Sequence, residues 1–162
     1  MRYIVGIDPG NNASAYCVID EDMRPLSFAK QGNELMYCTL VEFLGTLPES
    51  STIEVVIEGI ASYGMPVGAE VFNTCIWIGK LMERFERADF PVSMLYRKDE
   101  KMAICHSPKA NDATIRQALI DRFAYSVPNK GKGTKKNQGW FYGFRADIWQ
   151  AYAIAVTYHD LN

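Results

Sequence analysis

Three acidic residues, far apart in the chain, lie where strands are expected to end and a helix is expected to begin. Asp8 and Glu58 each follow a short apolar run of the kind that forms a buried strand, and a glycine comes within two residues of each. Asp147 opens the apolar pattern of residues 148–156, whose spacing is helical. Two carboxylates at strand ends and one at the start of a helix can meet at one edge of a sheet. A fold that brings these three acids together is the strongest constraint that the sequence sets.

Carboxylates gathered at one place need a counter-charge. They repel each other, and a hard divalent cation such as Mg²⁺, held by oxygen ligands, relieves the repulsion. Cations held in this way are typical of metal-assisted phosphodiester chemistry. The sequence therefore predicts a metal site formed by Asp8, Glu58 and Asp147.

The composition is that of a globular protein. The chain has 162 residues, of which 48% are apolar and 22% charged, so we expect a single domain over residues 1–162. No apolar stretch approaches the length of a membrane span, and the first residues are too short for a signal-peptide core. We expect an intracellular protein without a membrane segment and without a small-molecule cofactor.

The order of the predicted elements indicates a fold class. Three strands are predicted first. Helices and strands then alternate until two helices end the sequence. The predicted strands are 2–7, 13–19, 26–30, 53–57 and 92–96, and the predicted helices are 34–47, 69–88, 110–123 and 145–158. This order is that of a ribonuclease H-like α/β domain, with a mixed five-stranded sheet and helices on both faces. In that arrangement Asp8 ends a central strand, and the neighbouring parallel strand supplies Glu58.

Several motifs resemble one family within that fold class. Gly6-Ile7-Asp8-Pro9-Gly10, Ile57-Glu58 and the segment 147–157 resemble the RuvC-type Holliday junction resolvases, especially their bacteriophage and prophage relatives. The segments 62–68, 71–75 and 110–115 are also similar to that group. The resemblance implies a homodimeric, Mg²⁺-dependent endonuclease that cuts two opposed strands of a four-way DNA junction in the cytoplasm of a bacterial host.

The resemblance also implies roles for the acids. Asp8 would bridge two Mg²⁺ ions, for which Mn²⁺ could substitute, and Glu58 and Asp147 would each complete one ion. Relatives of the bacterial type carry a further acid three residues after the last of these, where this chain has Gln150. Asp112 is the candidate for a fourth ligand.

Each acid also has a simpler explanation. Asp8 suits a turn before Pro-Gly, Glu58 suits the exposed end of a strand, and Asp147 suits a helix N-cap. Capping explains Asp112 as well as catalysis does, because it too precedes an apolar helix. The agreement of the three main acids with one fold favours catalysis for them.

A basic segment precedes the last predicted helix. Residues 128–145 contain five basic residues and no acid, although the whole chain has a formal net charge of -2. We interpret residues 127–143 as a flexible loop, too polar to pack, that contacts DNA phosphates; the alternative is a solvated loop. The predicted DNA-binding residues are Tyr63, Lys109, Lys130, Lys132, Lys135, Lys136 and Arg145. The aromatic residues 140–144 either stack on nucleotides or pack against the last helix.

Two further features bear on substrate and assembly. Tyr63 lies on a glycine-containing turn after Glu58, where it either wedges into a junction centre or covers the hydrophobic core. The predicted helix 69–88 is apolar on more than one face, which favours a homodimer contact. Two other functions stay open: a nuclease that cuts many branched DNAs, and a junction-binding protein that has lost cleavage, for which Gln150 is the argument.

Overall fold

A computed structural model describes residues 1–162 and contains one mixed sheet of five strands. The order of the strands is β3-β2-β1-β4-β5. β1 pairs with β2 in antiparallel and with β4 in parallel fashion, β2 pairs with β3 in antiparallel fashion, and β5 is parallel to β4. The strands are β1 (Arg2–Asp8), β2 (Ala13–Ile19), β3 (Pro25–Gly32), β4 (Thr52–Gly59) and β5 (Val92–Tyr96). The predicted fold class, the central place of the first strand and its parallel neighbour are confirmed.

Helices cover both faces of the sheet. They are α1 (Asn33–Leu44), α2 (Ala69–Arg87), α3 (Arg97–Cys105), α4 (Asp112–Phe123) and α5 (Ile148–Leu161). α1 and α2 pack on one face, and α4 and α5 pack on the other. The sequence analysis missed α3, because its residues show no apolar periodicity and Glu100 is its only buried residue. No helix combines the length and the hydropathy that a bilayer crossing demands.

Alternation along the strands decides which face each acid points to. Val5 of β1 and Ile57 of β4 belong to the core beneath α1 and α2, whereas Ile4 and Val56 belong to the core beneath α5. Even-numbered residues of both strands therefore face α5. Asp8 and Glu58 share that parity, and both lie at the carboxyl ends of their strands.

Gly6 allows α5 to lie directly on β1. A Cβ atom at Gly6 would stand 2.1 Å from the carbonyl oxygen of Ala151 and 2.8 Å from the backbone nitrogen of Ala155. Both are backbone atoms, so no rotamer change could make room. The first turn of α5 is thereby held close to the end of β1, where Asp8 lies.

The basic segment before α5 packs against the core. Gly131 and Gly133 are buried, and Phe141 and Phe144 are almost inaccessible to solvent. The segment is tied together by backbone hydrogen bonds, among them Gly139 N–H to the carbonyl of Lys132 at 2.8 Å. The expectation that residues 127–143 are too polar to pack is wrong, because buried glycines and aromatic side chains anchor the loop while its lysine heads stay in solvent.

We predict that Gly6→Ala lowers the free energy of unfolding by at least about 3 kcal/mol, because α5 must move off β1. Urea denaturation followed by circular dichroism measures the change. The matched control is Gly45→Ala, at a helical backbone conformation where the nearest atom would be 3.4 Å from the new Cβ. That control should leave stability unchanged or raise it by roughly 0.5 kcal/mol. Equal effects of the two substitutions would contradict the close packing at Gly6.

Candidate active site

Asp8 and Glu58 form a half-buried pair of carboxyl groups at the ends of β1 and β4. Burial raises the pKa of Asp8 to about 8, and the charges of Glu58 and Asp147 add to the effect. Burial also raises the pKa of Glu58, against the charge of Arg97 and a hydrogen bond with Asp8. Both pKa values are therefore raised, so the pair takes up a proton more readily than two separate carboxyl groups would.

Asp147 lies at the start of α5, but its carboxylate does not cap the helix. It occupies the N-cap position and makes no side-chain capping hydrogen bond. Its Oδ2 instead pairs with the ammonium group of Lys30 on β3. About half of the Asp147 side chain is exposed, so it is available to a ligand. Because the carboxylate is directed away from the helix, capping does not explain this residue.

The donors present fit a divalent cation, although no group of three or more acidic, histidine or cysteine side chains forms a ready-made metal site. A cavity of about 200 Å³ is lined by Asp8, Pro9, Glu58, Gly59 and Ile60. Its polar side chains carry carboxylate oxygens, which are the ligands that Mg²⁺ prefers. The proton that the raised pKa of Asp8 favours and the Lys30 ammonium on Asp147 are positive charges that a metal would replace.

Glu100 is a fourth acid beside the site, and the sequence analysis missed it. It lies in α3, its side chain is fully buried, and its Oε2 accepts hydrogen bonds from Arg97 at 2.5 Å and from Gln150 at 3.2 Å. Burial raises the pKa of Glu100 to about 8, and the charge of Glu58 adds to it. The available signal was position: α3 follows β5 directly, and β5 is the parallel neighbour of β4, so α3 begins at the same sheet edge.

Asp112 is joined to the site through Arg97. Its Oδ1 pairs with the guanidinium of Arg97, and most of its side chain is exposed. The cap of α4 is Asn111, whose Oδ1 accepts a hydrogen bond from the Thr114 N–H at 3.0 Å. Capping is therefore the role of Asn111, while Asp112 lies one ion pair away from Glu100.

The predicted DNA-binding cations are available for contact. Apart from half-buried Lys132 they are exposed, and none forms a salt bridge within the protein; they are Lys109, Lys130, Lys132, Lys135, Lys136 and Arg145. Arg145 also lines a groove of about 450 Å³ together with Lys30, next to the start of α5. Basic side chains thus flank Asp147.

The aromatic residues before α5 serve mainly in packing. Phe141 and Phe144 are buried against α5, and Trp140 stacks on Phe123 and donates a hydrogen bond to the Tyr152 hydroxyl at 3.0 Å. The packing alternative is confirmed for these three residues. Tyr142 keeps partial exposure.

Tyr63 projects from the loop between β4 and α2. Its side chain is 70% exposed, and Met65 beside it is 74% exposed. A tyrosine that covers the core would be largely hidden from solvent. The core-covering alternative is therefore wrong, and the ring is free to meet another molecule.

The fold and the site place the chain among ribonuclease H-like α/β structures. Among solved structures it is similar to Thermus thermophilus RuvC in complex with a Holliday junction substrate, with a TM-score of 0.69 and 15% sequence identity over 99% of this chain and 94% of that chain. It is also similar to another Thermus thermophilus RuvC structure, with a TM-score of 0.68 and 18% identity over 98% and 93% of the two chains. No known family profile matches the sequence, and no curated protein matches it. The likeness establishes the fold.

We predict that Asp8 makes the stability of the metal-free protein depend on pH. Because the pKa of Asp8 is raised from 3.8 to about 8, the folded state holds a proton that the unfolded chain has released over that range. Stability from this group therefore falls as pH rises from about 4 to 8, by up to about 1.4 kcal/mol per pH unit. Relative to wild type, Asp8→Asn should become progressively more stable as pH rises.

Urea denaturation in the presence of EDTA at several pH values measures this difference. The control is Asp89→Asn, an exposed acid in the turn before β5. The stability difference between Asp8→Asn and this control should grow as pH rises, and parallel curves for wild type and Asp8→Asn would contradict the assignment. Added Mn²⁺ should bind more tightly as pH rises, since it displaces the proton on Asp8.

Proposed function

We propose that this protein is a Mg²⁺-dependent DNA endonuclease that resolves four-way junctions by paired phosphodiester cuts. The main observation is the convergence of Asp8, Glu58 and Asp147 on the α5 side of one sheet edge. The similarity in fold to RuvC, one structure of which contains a Holliday junction substrate, supports the substrate class. The resemblance of residues 62–68 to phage-type resolvases supports action in the cytoplasm of a bacterial host.

The proposed chemistry assigns each acid a task. Bound Mg²⁺, two ions in the proposal with Mn²⁺ as a substitute, would activate a water and stabilise the leaving 3′-oxygen of an in-line attack. Asp8, on which the charges of both other acids act, would hold both ions, and Glu58 and Asp147 would each hold one of them. Lys30, which neutralises Asp147 before binding, is then free to approach a DNA phosphate.

The proposed DNA surface surrounds this edge. The lysine loop, defined here as Lys130, Lys132, Lys135 and Lys136, precedes Arg145 and the first turn of α5. Its ammonium groups have no acidic partner to displace, so phosphate contacts cost little desolvation of existing ion pairs. Tyr63 is proposed as the wedge at the junction centre. A fluorescent base analogue placed there should become less unstacked with Tyr63→Ala.

Paired cutting requires two sites related by a dyad, which a homodimer supplies. The outer face of α2 carries the exposed side chains of Phe72 and Ile76, at 60% and 59% exposure, four residues apart on one helix. Met65 and Val67 continue this apolar surface toward Tyr63. Burial of this surface against a second copy would bring both Tyr63 rings toward the dyad.

We predict that wild-type protein with Mg²⁺ converts a cruciform plasmid to linear product, and that Asp8→Asn binds a labelled four-way junction with unchanged affinity but does not cut it. Removal of Asp8 deprives both ions of their shared ligand. Linear rather than nicked product reports two cuts within one complex, and hence two active sites. Gel assays with Mg²⁺ or Ca²⁺ measure cutting and binding separately.

Asp89→Asn is the matched control and should cut normally. Cleavage by Asp8→Asn would contradict the proposed metal site. Equal cutting of forks, flaps and junctions would favour the broader nuclease, and binding without cutting in any metal would favour an inactive junction-binding protein.

We also predict that Lys135→Ala with Lys136→Ala reduces the slope of log affinity against log salt by up to about 1.8, because each lost phosphate contact removes about 0.9. Fluorescence anisotropy of a labelled junction in Ca²⁺ at several salt concentrations measures the slope. Arg87→Ala, at the opposite end of α2 from Tyr63, is the control and should leave it unchanged. An unaltered slope in the double variant would mean that these two lysines are solvated and do not contact DNA phosphates.

A further inference from the structure

Glu100 is the single charged residue among the fully buried side chains of this protein, and the proposed catalytic set does not use it. Its side chain has no exposure to solvent. The other buried polar residues, which carry no charge, are Ser14, Thr74 and Thr157. A lone buried acid is costly unless its charge and both of its oxygens are satisfied. The environment of each oxygen therefore shows what the residue is for.

The two carboxylate oxygens of Glu100 differ. Oε2 accepts both hydrogen bonds, from Arg97 at 2.5 Å and from Gln150 at 3.2 Å. Oε1 is also out of contact with solvent but has no hydrogen-bond partner in the protein. A buried acceptor left without a partner costs about 1–3 kcal/mol, and more when it is charged. Oε1 is thus an unused ligand atom inside the protein.

The surroundings of Glu100 bring its carboxyl group within electrostatic reach of the proposed metal site. The charge of Glu100 acts on Asp8, and the charge of Glu58 acts on Glu100, so the three carboxyls lie within electrostatic reach. Gln150 follows Asp147 by three residues, which puts both on one face of α5. The Gln150 amide spans the gap from that face to Glu100.

We propose that Glu100 supplies a further carboxylate ligand to the metal site, with Oε1 toward the cation, the Gln150 amide fixing its orientation and Arg97 balancing its charge. This inference rests on the proposed function, because it concerns the same metal site. α3 would thereby supply a carboxylate in place of the one that α5 lacks, because α5 has Gln150 three residues after Asp147.

Arg97 lowers the cost of a charge on Glu100 in its buried position, against the desolvation that raises its pKa. Its guanidinium pairs with Glu100 and with Asp112, and its charge also acts on Glu58. A purely structural ion pair between Arg97 and Glu100 accounts for Oε2 but leaves Oε1 without a partner. A cation beside Glu58 gives Oε1 a partner and relieves the repulsion among the carboxylates.

The test measures Mn²⁺ binding to the metal-free full chain without DNA, by calorimetry and by electron paramagnetic resonance of the bound ion. We expect Glu100→Gln to weaken Mn²⁺ binding by about tenfold or more, as loss of a ligand or its support does. The control is Asp89→Asn, an exposed acid in the turn before β5, which should bind Mn²⁺ as wild type does. The exchanged variant Glu100→Gln with Gln150→Glu moves the carboxylate to α5 within the same contact and should restore binding.

Wild-type Mn²⁺ affinity in folded Glu100→Gln would overturn the inference, and so would an exchanged variant that folds but does not bind. Thermal unfolding checks folding; if Glu100→Gln alone does not fold, the exchanged variant decides, because it keeps one carboxylate and one amide in contact. If Glu100→Gln binds Mn²⁺ and cuts junctions normally, the inference fails while the proposed function stands. If Mn²⁺ binding depends on Glu100 but wild type cuts no branched DNA, the proposed function fails while the metal ligand stands.

Discussion

The contact between α5 and β1 at Gly6 determines where the acidic side chains lie. Only a residue without a Cβ lets the backbone of Ala151 and Ala155 come so near to the strand. Asp8 follows Gly6 by two residues and therefore points to the same face, and Asp147 precedes the first residue of α5. The parallel pairing of β4 with β1 brings Glu58 to the same edge. The contact at Gly6 and the pairing of β4 with β1 together make neighbours of three acids that are distant in the sequence.

The gathered acids repel each other, and the protein offsets this repulsion with three different positive charges. The raised pKa of Asp8 favours a proton on that group, Lys30 pairs with Asp147, and Arg97 pairs with Glu100. If stability were the only requirement, apolar side chains at the positions of these acids would serve equally well, because burial of charged groups seldom adds net stability. Two of the three charges, the proton and the Lys30 ammonium, are ones that a bound cation could displace, as the proposed metal site requires.

Much of this could be predicted from the sequence, because the determining signals are local. Apolar runs that end in an acid predicted β1 and β4, and the long helix between β4 and β5 was predicted almost to the residue. α3 was not predicted, because its sequence shows no helical spacing of apolar residues and its single buried side chain is itself an acid. The packing of residues 127–143 escaped as well, because buried glycines leave no hydrophobic signal. Lys30 could not be assigned, since its partner Asp147 comes from a contact that only the tertiary fold creates.

The distribution of charge reconciles a formal net charge of -2 with the proposed binding of a polyanion. The acids of the site are half-buried or fully buried and already compensated, while Lys30 and Arg145 line the groove beside Asp147. With so small a net charge, long-range attraction toward DNA is weak. The proposed binding would then depend on contacts made at short distance by the lysine loop, Arg145 and the exposed Tyr63. Such contacts distinguish a branched centre from a plain duplex better than a uniformly basic surface would, because a uniform field attracts every phosphate backbone alike.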